Sequence, residues 1–268
     1  TQSRSSAASD VYKRQAHADR RRVDGVVTDA RANTLKAYDT IAPLYAEYSS
    51  RYRDYLSTVD QLVIERLAPG TRLLDLGSGD GRRLHKITSH LGLTDVVAVE
   101  PSSEMAALCR KTTGFPVHQL FGDELDRLPD TGFAAVTVLW NVFGHMADSA
   151  VRLKTLGLLK AKLAPGGSIL LDVNNRHNRL AYGRWNVAKR RVLDAVAFDE
   201  KRGDVHYQWK IGNESVPSSG HLFTPAEMAG LFQRSGLRVA ERLSVNYATG
   251  AVSSSPFDGQ LFFRLQHA

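Results

Sequence analysis

A chain of 268 residues that is 43% hydrophobic and 24% charged has the composition of an ordinary globular protein with a sizeable core. No apolar run approaches the ~20 residues that span a bilayer, so no membrane partner is expected. The single cysteine, Cys109, excludes an internal disulfide framework and fits a reducing, cytoplasmic compartment. A formal charge of +7 raises the question of nucleic acid, but residues 1–22 supply +4 of it and the rest of the chain is near balance. With one cysteine and scattered histidines there is no metal-ligand spacing, and no metal is expected.

Taken in chain order, the first segment is anomalous. Residues 5–15, SSAASDVYKRQ, resemble the in-frame translation of a transposase-type sequencing adaptor. Residues 1–15 are therefore read as an artefactual tail on a reading frame assembled from environmental (metagenomic, bacterial) sequence, with the natural N-terminus open. Residues 16–30 are a polar lead-in. From Ala32 to Arg66 apolar and aromatic residues recur at helical spacing, among them Leu35, Tyr38, Ile41, Tyr45, Tyr48 and Leu56. Pro69-Gly70 ends that stretch, so residues 16–70 form a helical N-terminal part. Strands and helices then alternate: strand Arg72–Leu76, helix Arg82–Leu91, strand Val96–Val99, helix Ser102–Thr112, strands Val117–Phe121 and Ala134–Leu139, helix 149–163, strand Ser168–Val173. Such alternation predicts an α/β fold with a mainly parallel sheet and helices on both faces. Residues 178–195 read as helical despite Gly183. Ala197–Phe223 reads as a small antiparallel insertion with turns at Arg202-Gly203-Asp204 and Gly212-Asn213. Thr224-Pro225-Ala226-Glu227 starts a further helix, and Leu237–Val245 and Gln260–Leu265 are closing strands.

The most informative stretch is LLDLGSGDG, Leu73 to Gly81. Glycines behind a buried strand let the backbone turn tightly and let a ligand approach where a Cβ would block it. The dinucleotide fingerprint wants a third glycine where Arg82 stands, and a P-loop wants Gly-Lys-Ser/Thr; both are absent. Asp75 and Asp80 flank the loop and would repel a pyrophosphate. The ligand is expected to be nucleoside-bearing, free of phosphate, and cationic or neutral near the loop.

The loop resembles the cofactor loop of class I S-adenosylmethionine-dependent methyltransferases, and four further segments match in order: VVAVEPSSEM, Gly122-Asp123-Glu124-Leu125, FAAVTVLWNVFGHM and LAPGGSILL. The resemblance implies a Rossmann-like, doubly wound, seven-stranded domain over 71–268 with a substrate-side insertion at about 176–223. It implies S-adenosylmethionine as cofactor, S-adenosylhomocysteine as product, and a helical lid before the domain. For the cofactor it implies Asp75, Gly77, Ser78, Gly79 and Gly81 in the loop, Glu100 on the ribose hydroxyls, Pro101 after it, Met105 beside the adenine, Asp123 on the adenine amine with Glu124 and Leu125 following, and Asn141 in the pocket.

Methyl transfer needs in-line placement above all, and a base only where the nucleophile must lose a proton. His145, just past the fourth strand, is the candidate base. AYDTIAPLY (Ala37–Tyr45) resembles the lid helix of small-molecule methyltransferases, which implies Tyr38 over the methionine portion as the second candidate catalytic residue. The chain has Asn141-Val142-Phe143-Gly144 where base-amine methyltransferases of nucleic acids carry an Asp/Asn-Pro-Pro-aromatic motif, which argues against methylation of DNA base amines. DVNNRHNRLAYGRWN, Asp172 to Asn186, offers Arg176, His177, Arg179 and Arg184 with Tyr182 and Trp185. Arginine forks suit carboxylate or phosphate, so Phe143, Arg176, Tyr182 and Arg184 are candidate contacts to an acidic small-molecule acceptor. Two alternatives stand beside it. YDTIAPLYAEYSSRY loosely resembles the opening of tRNA wobble-uridine side-chain methyltransferases, and a catalytically silent cofactor-binding protein would keep the same motifs. The acceptor atom and the oligomeric state are not legible in the sequence.

Overall fold

The computed structural model describes residues 30–211 and 214–268. The adaptor-like tail, the polar lead-in and the turn at Gly212-Asn213 lie outside the described residues. Three helices come first: α1 (Ala30–Ile41), α2 (Tyr45–Ser50) and α3 (Arg53–Ile64). The alternating part follows as β1 (Leu73–Leu76), α4 (Arg82–Leu91), β2 (Val96–Val99), α5 (Ser103–Thr113), β3 (Val117–His118), β4 (Phe133–Val138), α6 (Ser149–Lys162) and β5 (Leu163–Val173). Two short helices, α7 (Arg179–Tyr182) and α8 (Arg184–Val196), lead into the hairpin β6 (Asp204–Ile211) and β7 (Glu214–His221). Helix α9 (Pro225–Ser235) and strands β8 (Leu237–Val245), β9 (Val252–Ser253) and β10 (Gln260–His267) complete the chain.

The main sheet runs β3-β2-β1-β4-β5-β10-β8-β9. Strands β1 to β5 pair in parallel, and β10, β8 and β9 are antiparallel additions. Seven strands were expected; the eighth, β9, is two residues long and pairs only with the end of β8. β1 and β2 are buried along their whole length, as parallel strands covered on both faces must be, and so read as unbroken apolar runs. The exception is Asp75, whose carboxylate accepts from the Thr137 hydroxyl of β4 at 2.6 Å. The chain order reverses between β1 and β4, which opens a crevice at their carboxyl ends. That is where ligands bind in open α/β sheets.

Three elements depart from expectation. β5 starts five residues early, because Leu163 pairs with Phe133 before the register shifts around Pro165-Gly166. The third strand stops at His118, since the chain then turns into a 3-10 turn over Gly122–Arg127. Gly183, at φ 82, splits the expected 178–195 helix into α7 and α8. The β6–β7 hairpin packs back against α1, where the Tyr38 and Trp209 rings meet nearly edge-on at 5.0 Å.

Candidate functional site

The glycine loop works as a backbone device. Gly77, Gly79 and Gly81 all lie at positive φ, between 56° and 78°, a region that costs other residues about 1–2 kcal/mol. Gly77 donates its N–H to the Val99 carbonyl at 2.7 Å, which joins the loop to β2. A Cβ on Gly77 would come within 2.4 Å of Val142, and one on Gly81 within 2.9 Å of the Cys109 Cα in α5. Gly79 is different: its absent Cβ would have only ordinary contact with Tyr45, so the space above it is open. Asp80 is paired with Arg82 across the helix start.

Above the loop lies a cavity of about 160 Å³ between α1, α2 and the carboxyl ends of β1, β2 and β4. Glu100 directly follows β2 and is buried there. One of its carboxylate oxygens accepts from the Gly79 N–H at 2.9 Å, the other from the Ser102 N–H at 3.0 Å. Each oxygen has a second lone pair left for a hydroxyl donor. Burial pushes the Glu100 carboxyl up to about 7, with the two backbone N–H groups pulling the other way. At the far end Asp123 is ion-paired with Arg31 of α1, and that guanidinium lies 4.8 Å from the centre of the Phe121 ring. A glycine-backbone floor, a buried carboxylate with spare acceptors and an apolar lining fit the nucleoside and the cationic methionine portion of S-adenosylmethionine.

A second cavity of about 60 Å³ adjoins the first, between α1–α3, the mouth of β4 and the β6–β7 hairpin. Tyr38, Tyr45, Trp140 and His145 line both. The Tyr38 hydroxyl lies 3.1 Å from His145 Nε2, and His145 Nδ1 lies 3.0 Å from the Ser219 carbonyl of β7. A carbonyl only accepts, so Nδ1 carries the proton and Nε2 is the acceptor for Tyr38. Burial lowers the His145 pKa from the usual 6.5 and raises that of Tyr38 well above 10. At neutral pH the pair is an uncharged imidazole beside an uncharged phenol.

Trp140 and Asn141 have positive φ, 61° and 60°, and a bulky residue there is held by its surroundings. Asp172 supplies the hold: it accepts from the Trp140 N–H and from the Tyr55 hydroxyl. The strain aims the Trp140 ring at the shared wall of the two cavities. Sequence reasoning missed Trp140, although a bulky aromatic at the mouth of β4 was a signal in plain view. Trp209 and Tyr247 gave no such signal, since they arrive from β6 and from the turn after β8, far along the chain.

Several expected site residues lie elsewhere. Gly77, Ser78, Gly79, Asp75, Glu100, Pro101 and Asp123 line the first cavity. Gly81 instead caps α4 against α5. Met105 is packed in a cluster with Ala37, Ile41 and Trp209, and Leu125 in the main core. Glu124 accepts from the Phe121 N–H at 2.9 Å and braces the turn. Asn141 lines the second cavity and not the first, with its side-chain carbonyl accepting from the Asn174 N–H at 2.9 Å. Phe143 is fully buried against Phe223.

The expected arginine pocket does not form. Arg176 is buried and ion-paired with Asp194 at 3.2 Å, Arg179 is paired with Asp258, and Arg184 is exposed on α8. Of that segment only Tyr182 and Asn174 line the second cavity, and no Arg, Lys, Asp or Glu lines it among the described residues. The acids that claim the arginines are far away in sequence, so the basic run reads as free until the fold is known.

A family model described as a methyltransferase domain matches residues 45–242. No curated protein sequence matches the chain significantly. Among solved structures, the CcbJ methyltransferase from Streptomyces caelestis superposes with a TM-score of 0.60 at 15% identity, covering 81% of this chain and 90% of that one. The sugar N-methyltransferase KedS8 from Streptoalloteichus gives 0.55 at 20% identity over 84% and 92%. A DhpI–SAM–HEP complex gives 0.61 at 19% identity over 90% and 100%. No helix among the described residues is long and apolar enough to cross a membrane.

Proposed function

The chain belongs to the methyltransferase-domain family, as a methyltransferase dependent on S-adenosylmethionine, and from that premise we propose that it methylates a small molecule seated in the second cavity. The bound cofactor supplies an electrophilic methyl on sulfonium and leaves as S-adenosylhomocysteine. Gly77, Ser78 and Gly79 would form the floor under it, Glu100 would accept from the ribose hydroxyls, and Asp123 would be the acceptor for the adenine amine.

One observation carries the reading: Tyr38 and His145 are hydrogen-bonded to each other in the wall common to both cavities. An acceptor atom meeting the methyl there has a phenol and a neutral imidazole beside it. The Ser219 carbonyl fixes the imidazole so that Nε2 is the proton acceptor. Proximity does most of the work of a direct displacement; His145 takes the proton that the acceptor must lose. The lining, without Arg or Lys among the described residues, favours a small molecule over the polyanionic tRNA alternative.

The test is a methyl-transfer screen with labelled cofactor across metabolite classes and bulk tRNA, repeated with His145→Ala. Loss of a positioned base costs about 10²–10⁴-fold in turnover, while the affinity for S-adenosylhomocysteine stays at the wild-type value. Because burial lowers the His145 pKa, protonation of His145 itself removes turnover only below pH 6.5 when the cofactor is saturating. Wild-type turnover by His145→Ala would remove the pair from the reaction.

A further inference from the structure

The second cavity is walled by rings. Trp140 lies within 5.6–5.9 Å of Tyr45, Tyr48 and Tyr52, centre to centre, and Tyr52 lies 4.9 Å from Tyr247. Trp209 closes the hairpin side, 5.9 Å from Tyr48. These pairs are inclined at angles from 26° to 63°, so they form an enclosure and not a parallel stack. The Trp140 indole N–H donates to the Tyr247 hydroxyl at 2.8 Å, which ties two of the walls together.

Such an enclosure selects by charge. Ring faces carry negative quadrupole potential and attract cations, whereas a carboxylate or phenolate desolvated among them is repelled and finds no Arg or Lys in this lining among the described residues. Among the described residues, the ionisable wall residue besides the tyrosines and His145 is His221. It bridges Asp204 at 2.7 Å and Glu227 at 2.9 Å, a triple whose net charge is negative whether the imidazole is protonated or neutral. Arg152, the cation that feels this triple, is itself paired with Glu200 at 2.7 Å.

Resting on the reading that this cavity seats the methyl acceptor, we propose that the acceptor is an amine without a carboxylate or phosphate group. The amine attacks as the free base. Its lone pair forms the N–C bond while the electron pair of the S–C bond returns to sulfur, so the positive charge passes from sulfonium to ammonium. The nascent ammonium is the species that the enclosure stabilises. Where it carries a proton, that proton goes to the Tyr38 hydroxyl oxygen as Tyr38 gives its own to His145 Nε2. The ring enclosure thus acts on the product side of the barrier, and the Tyr38–His145 pair clears the proton.

The probe is choline, titrated calorimetrically into the full chain saturated with S-adenosylhomocysteine, against its neutral isostere with carbon in place of nitrogen and against glycine betaine. Cation–ring attraction in a desolvated site predicts that choline binds about tenfold or more tighter than the isostere, and tighter than betaine. Trp209→Leu should collapse the choline-to-isostere ratio toward unity with the affinity for S-adenosylhomocysteine unchanged; a ratio within one protein is insensitive to partial unfolding. A wild-type ratio at or below unity, or tighter binding of betaine, overturns the proposal. The underlying reading fails separately. His145-dependent methylation of alcohols or acids in the screen would keep the site and discard the amine, whereas His145-independent turnover would discard the site itself.

Discussion

The two cavities that meet at Tyr38 and His145 are made of different materials. The floor of the first is built from backbone and strand ends, glycines at positive φ and Glu100 tied to two N–H groups, under a cover from α1 and α2. The second is built from side chains brought together from α1, α2, the mouth of β4, β6 and the segment after β8. A backbone cradle tolerates little change at its glycines and is nearly indifferent to surface substitutions. A ring wall can lose one member and keep its shape, because its other members still pack on each other. The difference suggests a fixed cofactor half and an adjustable acceptor half within one fold.

The largest expected effect tests the rigidity of the first half. Gly81→Ala puts a methyl within 2.9 Å of the Cys109 Cα, at φ +77, where neither backbone can yield without separating α4 from α5. Strain of about 1–2 kcal/mol adds to an overpacking cost of about 1–3 kcal/mol. Thermal or denaturant unfolding should therefore report a destabilisation of ~2–5 kcal/mol. Gly79→Ala, with φ +56 but open space above it, should cost only the conformational part and should instead weaken S-adenosylhomocysteine binding. Equal destabilisation by the two changes would mean that the loop does not divide into a packing glycine and a ligand-facing one.

How much of this was legible follows the same division. The loop, Glu100 and the alternation of β1 to β5 could be read because each is local: a strand, a turn and a helix cap in consecutive residues. Met105 and Leu125, expected beside the cofactor, do not line the first cavity, because a motif gives a residue's position along the chain but not its rotation about a helix or turn. Both point into packed clusters. The arginines of Asp172–Asn186 look free in sequence for the converse reason. Asp194 and Asp258 neutralise Arg176 and Arg179 only after folding. Of the ring wall, only the α1–α2 part, Tyr38, Tyr45 and Tyr48, carries a helical period in sequence.

A middle-sized effect separates the halves by pH. Burial raises the Glu100 carboxyl from 4.5 to about 7, so the fold prefers its protonated form. The stability this adds is fully present below the ordinary carboxylate value and is lost as pH rises through about 7. Cofactor binding needs the opposite form, because a carboxylate accepts both ribose hydroxyls and a protonated one does not. Free-protein stability and S-adenosylhomocysteine affinity should thus move in opposite directions between pH 5 and about 8. Glu100→Gln should flatten both profiles relative to wild type. It should also cost about 1.5–3 kcal/mol of affinity at the alkaline end, as loss of a charge-assisted acceptor does. Choline affinity for the second cavity should show no such dependence on Glu100.

The smallest expected effect is also the one that could reopen the acceptor question. Arg184 is exposed at the start of α8 and lines neither cavity. Surface substitutions of this kind stay within about 0.5 kcal/mol in stability, and Arg184→Ala should leave kcat/KM for the acceptor unchanged at every salt concentration. The wild-type salt dependence should itself be shallow, because an uncharged ring wall releases no counterions on binding. A rise in acceptor KM in Arg184→Ala that disappears at high salt would mean that an anionic portion of the acceptor reaches out of the ring wall to α8. The amine would then be one end of a longer, zwitterionic molecule. A steep salt slope shared by wild type and variant would implicate a polyanion such as tRNA, since the slope scales with the phosphates contacted. Flat profiles in both proteins confine recognition to the rings, where the difference between the two cavities says it belongs.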